Sequence, residues 1–410
     1  MDEATFLRGL FDAALAAAGP AGKFTDLPDP PKGRTIVLGA GKAAASMAAE
    51  FERAWGRPVE GLVVTRYAHS RPTRHVEVVE AGHPMPDAEG AATARRILNL
   101  ASSATGDDLV VFLGSGGASA LLILPLDGIA LDDKRAITKA LLRSGAPIGE
   151  MNIVRKALSA IKGGRLAAAA APARCFSWLI SDVPGDDPGV IGSGPTIRAE
   201  TDARDALAVL ARRGIDVPDH VRAAMLVNAP PDIATGPVHM IATPQDALET
   251  AAAKARAQGV TAHIMGANIE GEARDVAATF AGIADQVRRM DQPFAKPCVL
   301  ISGGETTVTV RGNGRGGRNT EFLLALALAL DGAPGVSAIA CDTDGIDGVD
   351  HNAGALCTPD TLARMKAAGV DPRALLHDND SLAAFEAADQ VVTTGPTLTN
   401  VNDFRAILIA

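Results

Sequence analysis

The chain has 410 residues, of which 47% are hydrophobic and 21% are charged, and its formal net charge is −9. This length exceeds what one ordinary hydrophobic core supports, so we expect a globular protein of two domains. The acidic balance and an aromatic content of only 3% argue against a nucleic-acid-binding surface and against binding to an anionic membrane, but they do not exclude a local basic pocket for a small anion.

The cysteine spacing and the terminal residues indicate a cytoplasmic protein. Four single cysteines without CxxC spacing are typical of reduced thiols and not of a disulfide framework or a zinc site. The N-terminus lacks the basic region and the cleavage pattern of a signal peptide. The longest apolar run, FLLALALAL at 322–330, is shorter than the ~20 residues that span a bilayer, so we expect a buried helix there.

Short apolar runs alternate with alanine-rich helical patterns through the first half of the chain. The runs are TIVLGAG (35–41), GLVVT (61–65), VEVVEAG (76–82), DLVVFLGSGG (108–117) and CFSWLISDVPG (175–185). This alternation predicts an α/β domain with a parallel sheet that helices cover on both faces. Ligands of such sheets bind beyond the carboxyl ends of the strands, where this chain has glycines and several polar residues.

The turn GAGKAA (39–44) follows the first strand and opens a helix. It fits the G-x-G-x-x-A dinucleotide fingerprint, but Lys42 lies where the backbone would approach a pyrophosphate, and the next strand ends in Arg66 rather than in an acidic ribose ligand. A lysine at a helix N-terminus favours an anion. Three alternatives therefore stay open: a dinucleotide site, an anion site and a plain turn with a solvent-facing lysine.

Two later segments of the first half also combine glycines with polar or basic residues. The N–H groups of GSGGASALL (114–122) and the Ser115 hydroxyl are suited to a carboxylate or phosphate, although a plain turn fits this pattern equally well. The segment MNIVRKALSAIKGGRL (151–166) carries four cations, Arg155 among them, and its glycine pair should loosen the helix. A solvated basic face is the simpler interpretation of this segment.

The segment SDVPGDDPGVIGSGPT (181–196) places three carboxylates, Asp182, Asp186 and Asp187, directly after a strand. Carboxylates this close repel one another unless a cation lies among them, and hard oxygen ligands suit Mg²⁺. The alternative is a solvated acidic loop. His83 in AGHPMPD is the only histidine in a motif-like setting, and we interpret it as part of a turn.

A second series of strands starts near residue 238, after the proline-rich stretch NAPPDIATGP, and we therefore expect domains of residues 1–235 and 236–410. In this half the alternating run ETTVTVRG (305–312) predicts an antiparallel strand, so the second sheet should be mixed. The segment GRGGRNTEF (314–322) should connect this strand to the apolar helix.

The second half again combines glycine turns with acidic residues, in SGGET (302–306) and CDTDGIDG (341–348). Basic residues lie at glycine turns (Lys42, Arg315 and Arg318), and acids lie at strand ends. Phosphoryl transfer needs cations on the moving phosphoryl group and carboxylates for Mg²⁺ and for the attacking hydroxyl. Because hydride transfer needs neither set in such number, the residues favour a phosphotransferase over a dehydrogenase.

The motifs resemble, in their order along the chain, those of the class II glycerate 2-kinase family, also known under the name hydroxypyruvate reductase. The set includes TGPTLTNVND (394–403) and covers most of the chain. The resemblance implies a Rossmann-like N-terminal domain, a smaller MOFRL-type α/β C-terminal domain and a site in the cleft between them. It also implies phosphorylation of D-glycerate at O2 by ATP and Mg²⁺, giving 2-phosphoglycerate. The chain departs from the family pattern at Ala118 and Leu398, where the family has glycine, and at Thr320, where it often has glutamine.

The resemblance and the residue types together predict roles for individual residues. Lys42 and Arg318 should stabilise the charge on the moving phosphoryl group, Asp182 should be the general base, and alanine at Lys42 or Arg318 should lower turnover by orders of magnitude with the fold intact. The expected ATP-binding residues are Gly303, Gly304, Glu305, Arg315, Gly316 and Gly317. The expected glycerate-binding residues are Ser115, Gly116, Gly117 and Arg155. The expected Mg²⁺ ligands are Asp344 and Asp187.

Two other functions are compatible with parts of the sequence. An NAD(P)H-dependent hydroxypyruvate reductase is favoured by GAGKAA and opposed by the missing acidic ribose ligand and catalytic histidine. A sugar-acid-binding regulator is opposed by the absence of a helix–turn–helix pattern and of a basic stripe. The expected partners are D-glycerate and ATP, without nucleic acid or membrane, and the expected assembly is a monomer or a homodimer.

Overall fold

The computed structural model describes residues 2–348 and 351–410. It divides into two compact units, Pro20–Ile241 and Met1–Gly19 with Ala242–Ala410, which we call the N-terminal unit and the C-terminal unit. The first helix, α1 (Glu3–Ala18), therefore belongs to the C-terminal unit, whereas the division expected from the sequence assigns it to the first domain.

The N-terminal unit is built on a six-stranded sheet with the order β3-β2-β1-β4-β5-β6. This is the strand order of a doubly wound dinucleotide-binding fold, and the pairs that β1 forms with β2 and with β4 are parallel. The expected α/β class and parallel N-terminal sheet are thus confirmed. The strands are β1 (Thr35–Ala40), β2 (Glu60–Arg66), β3 (Val76–Ala81), β4 (Leu109–Gly114), β5 (Arg174–Ile180) and β6 (Val238–Ala242).

Helices cover this sheet because its central strands are apolar along their whole length. Every residue of β1 and β4 is buried, as expected for strands with both faces covered. The helices are α2 (Ala44–Trp55), α3 (Ala88–Ser102), α4 (Ala118–Leu121), α5 (Leu131–Arg143), α6 (Ile148–Ala157), α7 (Arg165–Ala170), α8 (Ala203–Arg212) and α9 (Asp219–Val227), and a 3₁₀ turn spans Ile191–Ser193. The strand order reverses between β1 and β4, the point where such folds bind ligands.

The C-terminal unit has a mixed sheet, which confirms the expected class. Its order is β13-β12-β11-β14-β9-β7, and only the β7–β9 pair among these strands is parallel in the described residues. The strands are β7 (Thr261–Gly266), β8 (Gly271–Glu272), β9 (Cys298–Ser302), β10 (Thr306–Thr307), β11 (Val336–Asp342), β12 (Gly354–Cys357), β13 (Val391–Val392) and β14 (Asp403–Ile409).

The helices of the C-terminal unit are α10 (Pro244–Ala257), α11 (Ala273–Met290), α12 (Arg318–Leu330), α13 (Thr361–Ala367), α14 (Pro372–His377) and α15 (Ser381–Ala388). The apolar run lies in α12, whose residues from Asn319 to Ala327 are all buried, as expected. No helix within residues 2–348 and 351–410 combines the length and the hydropathy needed to cross a membrane.

The predicted antiparallel strand over ETTVTVRG is wrong. Only Thr306 and Thr307 form a strand, β10, and it pairs in parallel with the two residues of β8. The backbone beyond it is bound instead by the turn that follows α14, because Arg311 N donates to Asn379 Oδ1 (2.8 Å) and Gly314 N donates to Asp378 O (2.9 Å). The sequence does alternate between apolar and polar side chains. However, the backbone N–H groups donate to a turn and not to a neighbouring strand.

Candidate active-site residues

Two glycine turns of the N-terminal unit contact each other at the point where the strand order reverses. Lys42 N donates a hydrogen bond to Gly116 O (2.8 Å), and Ala43 N donates to Ser115 Oγ (3.0 Å). Gly41 has φ +131°, and a Cβ there would lie 2.1 Å from Ser115 Oγ. The turns that the sequence singled out separately therefore form one continuous surface of backbone, with Lys42 half-buried at the start of α2.

His83 lies beside these turns, a position that the sequence did not reveal. A Cβ on Gly117, which has φ +81°, would come within 3.1 Å of the His83 ring and 3.4 Å of Lys42 Cγ. His83 lies two residues after the end of β3, at the carboxyl edge of the sheet. The available signal was its place just after a strand, and the turn interpretation gave it too little weight.

The three aspartates of the acidic segment after β5 differ in exposure to solvent. Asp182 is half-buried, and Asp187 is exposed with Oδ1 accepting from Gly189 N (2.7 Å). Asp186 adopts φ +54°, and its buried Oδ1 has no hydrogen-bond partner among the described residues. Within residues 2–348 and 351–410 there is no group of three or more His, Cys, Asp or Glu side chains placed to hold a metal ion.

Arg155 lies on α6 and is half-buried without an ion pair to any described carboxylate. Burial lowers the pKa of its guanidinium. The neighbouring Lys156 has its pKa lowered by burial too, but Asp187 and Glu200 act in the opposite direction. The sequence segment interpreted as a solvated basic face is thus largely inside the protein.

Arg318 is the first residue of α12 and lies among three carboxylates. Its Nη2 is 2.7 Å from Asp342 Oδ2, its Nε is 2.8 Å from Asp403 Oδ1, and its Nη1 is 3.2 Å from Glu305 Oε1. Burial alone would lower the pKa of Arg318, but these carboxylates hold it well above its usual value. Arg318 is therefore a permanent cation, and each of its three guanidinium nitrogens already lies near a carboxylate of the protein.

Arg315, by contrast, is exposed. Its guanidinium is 2.7 Å from Glu386 on α15, and both side chains are about half accessible to solvent. The turn between the two arginines is tightly packed, because a Cβ on Gly316 would lie 2.3 Å from Ser381 Oγ and one on Gly317 would lie 2.2 Å from Asp347 Oδ1. Two backbone N–H groups of this turn are already bound within the protein, since Arg315 N donates to Asp380 Oδ1 (2.9 Å) and Gly317 N donates to Thr320 Oγ1 (3.0 Å).

The remaining predicted nucleotide-binding glycines lie after β9. Gly303 N donates to Gly266 O (2.9 Å), and Gly304 has φ +108° with the backbone of Ile269 where a Cβ would be. Glu305 follows and is exposed apart from its ion pair with Arg318. The close approach of two backbone segments requires glycine at these positions, independently of any ligand.

The acids after β11 form a hydrogen-bonded loop. Asp342 Oδ1 accepts from Asp344 N (2.9 Å), and Asp344 Oδ1 accepts from Ile346 N (2.8 Å). Asp347, which the sequence did not assign to the site, is fully buried and accepts hydrogen bonds from Asn319 N, Thr320 N and Thr320 Oγ1. It therefore binds the first turn of α12, next to Arg318.

One departure from the family pattern lies where the backbone conformation suits the glycine that the family has. Leu398 adopts φ +61°, a left-handed conformation that glycine adopts without strain and that other L-residues adopt at a cost of ~1–2 kcal/mol. A second departure, Ala118, packs against the loop that carries Gly192, since a Cβ on Gly192 would lie 3.0 Å from its methyl group.

Comparison with known proteins identifies the family. Residues 6–226 match the family described as "Domain of unknown function (DUF4147)", and residues 298–403 match the MOFRL family. The chain is 42% identical over 378 residues to a D-glycerate 2-kinase of Thermotoga maritima, which covers 92% of this chain and 91% of the relative. The chain belongs to the class II glycerate 2-kinase family.

Other members of this family are similar over nearly the whole chain. A relative from Agrobacterium vitis, whose name of hydroxypyruvate reductase is marked as provisional, is 52% identical and covers 98% of this chain and 94% of the relative. The crystal structure of a glycerate kinase from Thermotoga maritima superposes with a TM-score of 0.90 at 38% identity, covering 99% of both chains. The fold of this family member is thus the fold of a solved glycerate kinase.

Proposed function

We propose that the chain is a glycerate 2-kinase, which transfers the γ-phosphoryl group of ATP in line to O2 of D-glycerate and releases 2-phosphoglycerate and ADP. The observation that carries the proposal is the 42% identity, over 92% of the chain, to a protein named D-glycerate 2-kinase. The mechanism requires positioning and charge stabilisation more than covalent chemistry. The residues described above are of the types that such a mechanism uses.

In this proposal Lys42 and Arg318 stabilise the charge that develops on the phosphoryl oxygens, and Asp182 accepts the proton of the attacking hydroxyl. Lys42 is supported by its place at the start of a helix beside a glycine turn. Arg318 is supported by its permanent charge at the start of α12. Its three carboxylate partners mean that it acts as part of a network and not as a lone cation.

Nucleotide binding is assigned to the glycine turns of the C-terminal unit. The assigned residues are Gly303, Gly304, Glu305, Arg315, Gly316 and Gly317, and the glycerate-binding residues are Ser115, Gly116, Gly117 and Arg155. The turn of Ser115 is supported by its hydrogen bonds to the Lys42 turn. The exposed Arg315 fits the outer part of a nucleotide site and not the transferred group.

The proposal includes Mg²⁺ held by Asp344 and Asp187. Their carboxylate oxygens are hard ligands of the right type, and Mg²⁺ in such sites usually takes one or two carboxylates and completes its coordination with phosphates and water. When bound, the ion neutralises charge on the nucleotide phosphates.

A coupled ADP-release assay with D-glycerate, ATP and MgCl₂ tests the function, and NMR of the product identifies the phosphorylated oxygen. We expect glycerate-dependent ADP release with phosphate at O2. Lys42→Met should lower turnover by orders of magnitude while leaving the circular dichroism spectrum and melting temperature of the wild type. Phosphate at O3, or ADP release that does not depend on glycerate, would contradict the proposal.

Hydroxypyruvate reduction is the second candidate, because two relatives with 52% and 51% identity carry that name in provisional form. The strand order and the GAGKAA turn are compatible with a dinucleotide. However, β2 ends in Arg66, where a dinucleotide site would place an acid for the ribose. Loss of NADH absorbance on adding hydroxypyruvate, at a rate above that of ADP release, would favour the reductase.

A further inference from the structure

The N-terminal unit contains a group of basic side chains that the proposed mechanism uses only in part. Lys134 on α5 is 3% exposed, and Lys162, in the turn between α6 and α7, is 1% exposed. Arg155 on α6 is half-buried. No described carboxylate forms an ion pair with any of these three side chains. We call Lys134, Arg155 and Lys162 the buried cation group.

The protein satisfies these cations only partly. Lys162 Nζ donates to Gly192 O (3.0 Å), and Lys134 Nζ donates to Leu158 O (3.4 Å), whereas each ammonium has three N–H donors. Burial lowers the pKa of Lys134 to about 7, and burial followed by Lys134 and Arg155 lowers that of Lys162 well below its usual value. These cations thus lie close enough to repel one another. Burial of an unpaired ammonium is unfavourable, which is why these pKa values are lowered, and an anion bound beside the group would favour the protonated forms.

The backbone beside the group is strained. Gly163 N donates to Ser193 O (3.1 Å) and Gly164 N donates to Gly194 O (2.9 Å), which joins the Lys162 turn to the 192–194 loop. Gly192, Ser193 and Gly194 have φ values of 60°, 62° and 59°, and Ser193 is fully buried. A buried serine in this conformation costs ~1–3 kcal/mol and is typical of functional sites.

This strain places hydroxyl groups beside the buried cation group. Ser193 Oγ lies 2.9 Å from Ser119 Oγ and 3.4 Å from Asn152 Oδ1. Asn152 and Arg155 are three residues apart on α6 and therefore share one face of that helix. Ser119 lies in α4, directly after the glycine turn that carries Ser115 and Gly117. The 192–194 loop thus links Lys162, which binds Gly192 O, to Asn152 on α6 and to Ser119 beside the glycine turn.

We propose that the buried cation group, with the hydroxyls of Ser119 and Ser193, forms the site for the carboxylate of the substrate. Arg155, the accessible member, contacts the carboxylate, and Lys134 and Lys162 lie behind it, where a bound carboxylate favours their protonated forms. Lys156 is not part of the site, since Asp187 and Glu200 offset its charge. The identity of the ligand as a hydroxy acid rests on the proposed function, whereas the anion site itself does not.

Calorimetric titration with sodium D-glycerate and melting curves with and without it test the proposal on the full chain. We expect Arg155→Gln to lower glycerate affinity roughly 30-fold or more, as for other charge partners lost from a desolvated site. Its melting temperature without ligand should equal or exceed that of the wild type, because an unpaired cation is removed. A merely structural arginine would instead give a lower melting temperature with unchanged affinity, and that result would overturn the proposal.

Two lysine variants and one control extend the test. Lys134→Met and Lys162→Met should raise the KM for glycerate roughly 10-fold and leave the KM for ATP unchanged, and Arg155→Lys should recover part of the affinity lost in Arg155→Gln. Lys139→Met, on the exposed side of the same α5 helix, should match the wild type in every measurement. Equal glycerate affinity in Lys139→Met and Lys134→Met would contradict a role for the buried charge.

The outcomes distinguish the anion site from the kinase function. Glycerate binding that is lost in Arg155→Gln, combined with no glycerate-dependent ADP release in the wild type, would reject the kinase and support the anion site. Glycerate-dependent ADP release that Arg155→Gln leaves unchanged would support the kinase function and reject the anion site. Inorganic phosphate binding at least as tightly as glycerate, and competing with it, would overturn the carboxylate assignment.

Discussion

Arg318 illustrates how one residue serves both charge stabilisation and structure. Two of its three partners, Asp342 and Asp403, are buried, and Asp403 also binds the buried Arg405. Removing the guanidinium leaves these carboxylates facing each other in a medium of low dielectric constant. The expectation that Arg318→Ala keeps the fold intact therefore conflicts with the environment of the side chain, and loss of activity in that variant would not by itself prove a catalytic role.

Arg318→Ala should lower the free energy of unfolding by about 3–5 kcal/mol, the range for breaking a buried ion pair. Arg318→Lys, which keeps the charge, should lose less. Urea unfolding followed by circular dichroism measures both. Arg315→Ala is the matched control, since its ion pair with Glu386 is exposed and worth about 0–1 kcal/mol. A loss in Arg318→Ala no greater than in Arg315→Ala would show that the buried carboxylates do not need this cation.

Lys134 gives a pH dependence whose sign follows from its environment. Its pKa is lowered from 10.5 to about 7 by burial, with Arg155 and Arg165 adding to the effect. Between about pH 7 and pH 10 the unfolded chain then binds more protons than the folded protein, so stability rises with pH in this window, by at most ~1.4 kcal/mol per unit for one group. Urea unfolding at pH 7 and pH 9 measures how much the free energy of unfolding rises with pH. This rise should be smaller in Lys134→Met than in the wild type or in Lys139→Met. Equal gains in all three proteins would mean that Lys134 titrates normally.

At the scale of elements, the start of α12 is anchored from a distant loop. Gly317 is the residue before the helix and has no side chain to bind the first N–H groups, and Asp347 accepts from Asn319 N and Thr320 N in its place. A carboxylate at a helix N-terminus also interacts favourably with the helix dipole. The position normally open to an anion at α12 is thus occupied by the protein itself, and the orientation of Arg318 depends on the loop after β11.

Gly317→Ala should destabilise the protein by about 1–3 kcal/mol, because its Cβ would lie 2.2 Å from Asp347 Oδ1 and overpacking of this kind has that cost. Gly282→Ala is the matched control within α11, where nothing lies within 4 Å of the added Cβ. That change should stabilise by ~0.5–1 kcal/mol, since alanine favours a helix interior. Thermal melts of both variants measure the contrast, and shifts of the same sign would show that Asp347 moves away freely.

At the scale of the whole molecule, the first and last segments of the chain belong to one unit. Helix α1 buries Leu7, Leu10 and Phe11 completely, and the Phe11 ring lies 5.9 Å from that of Phe404 on β14. Thr399 Oγ1 donates to Ala18 O (2.6 Å) at the end of the same helix. The C-terminal unit is therefore complete only when residues far apart in the chain have met, a contact pattern that slows folding.

Phe11→Ala should lower the free energy of unfolding by about 3–5 kcal/mol, the range for removing a buried aromatic ring. Val310→Ala in the same unit, where the side chain is 74% exposed, should change it by less than about 0.5 kcal/mol. Urea titrations of the two variants provide the comparison. A loss in Phe11→Ala below about 1 kcal/mol would indicate that α1 is an accessory element.

Sequence patterns correctly predicted the features that depend on residues close together in the chain. The parallel sheet, the mixed second sheet and the buried helix α12 followed from hydrophobic periodicity and glycine turns. The antiparallel strand at ETTVTVRG failed because the same alternation also fits a segment whose backbone is bound by a turn. His83 was interpreted as part of a turn although it lies just after a strand, and Asp347 was missed because nothing near it in the chain indicates that a helix start lies against it.

By itself the sequence determined the order of the elements, the residue types at the strand ends and the family. Only the tertiary structure decided which charges interact: Arg318 pairs with Asp342 and Asp403, whereas Lys162 is repelled by Lys134 and Arg155 and has no described carboxylate partner. The physical reason is that hydrophobic periodicity depends on near neighbours, whereas the energy of a charge depends on its distance to every other charge and on its burial. Those quantities exist only after segments far apart in the chain have packed together.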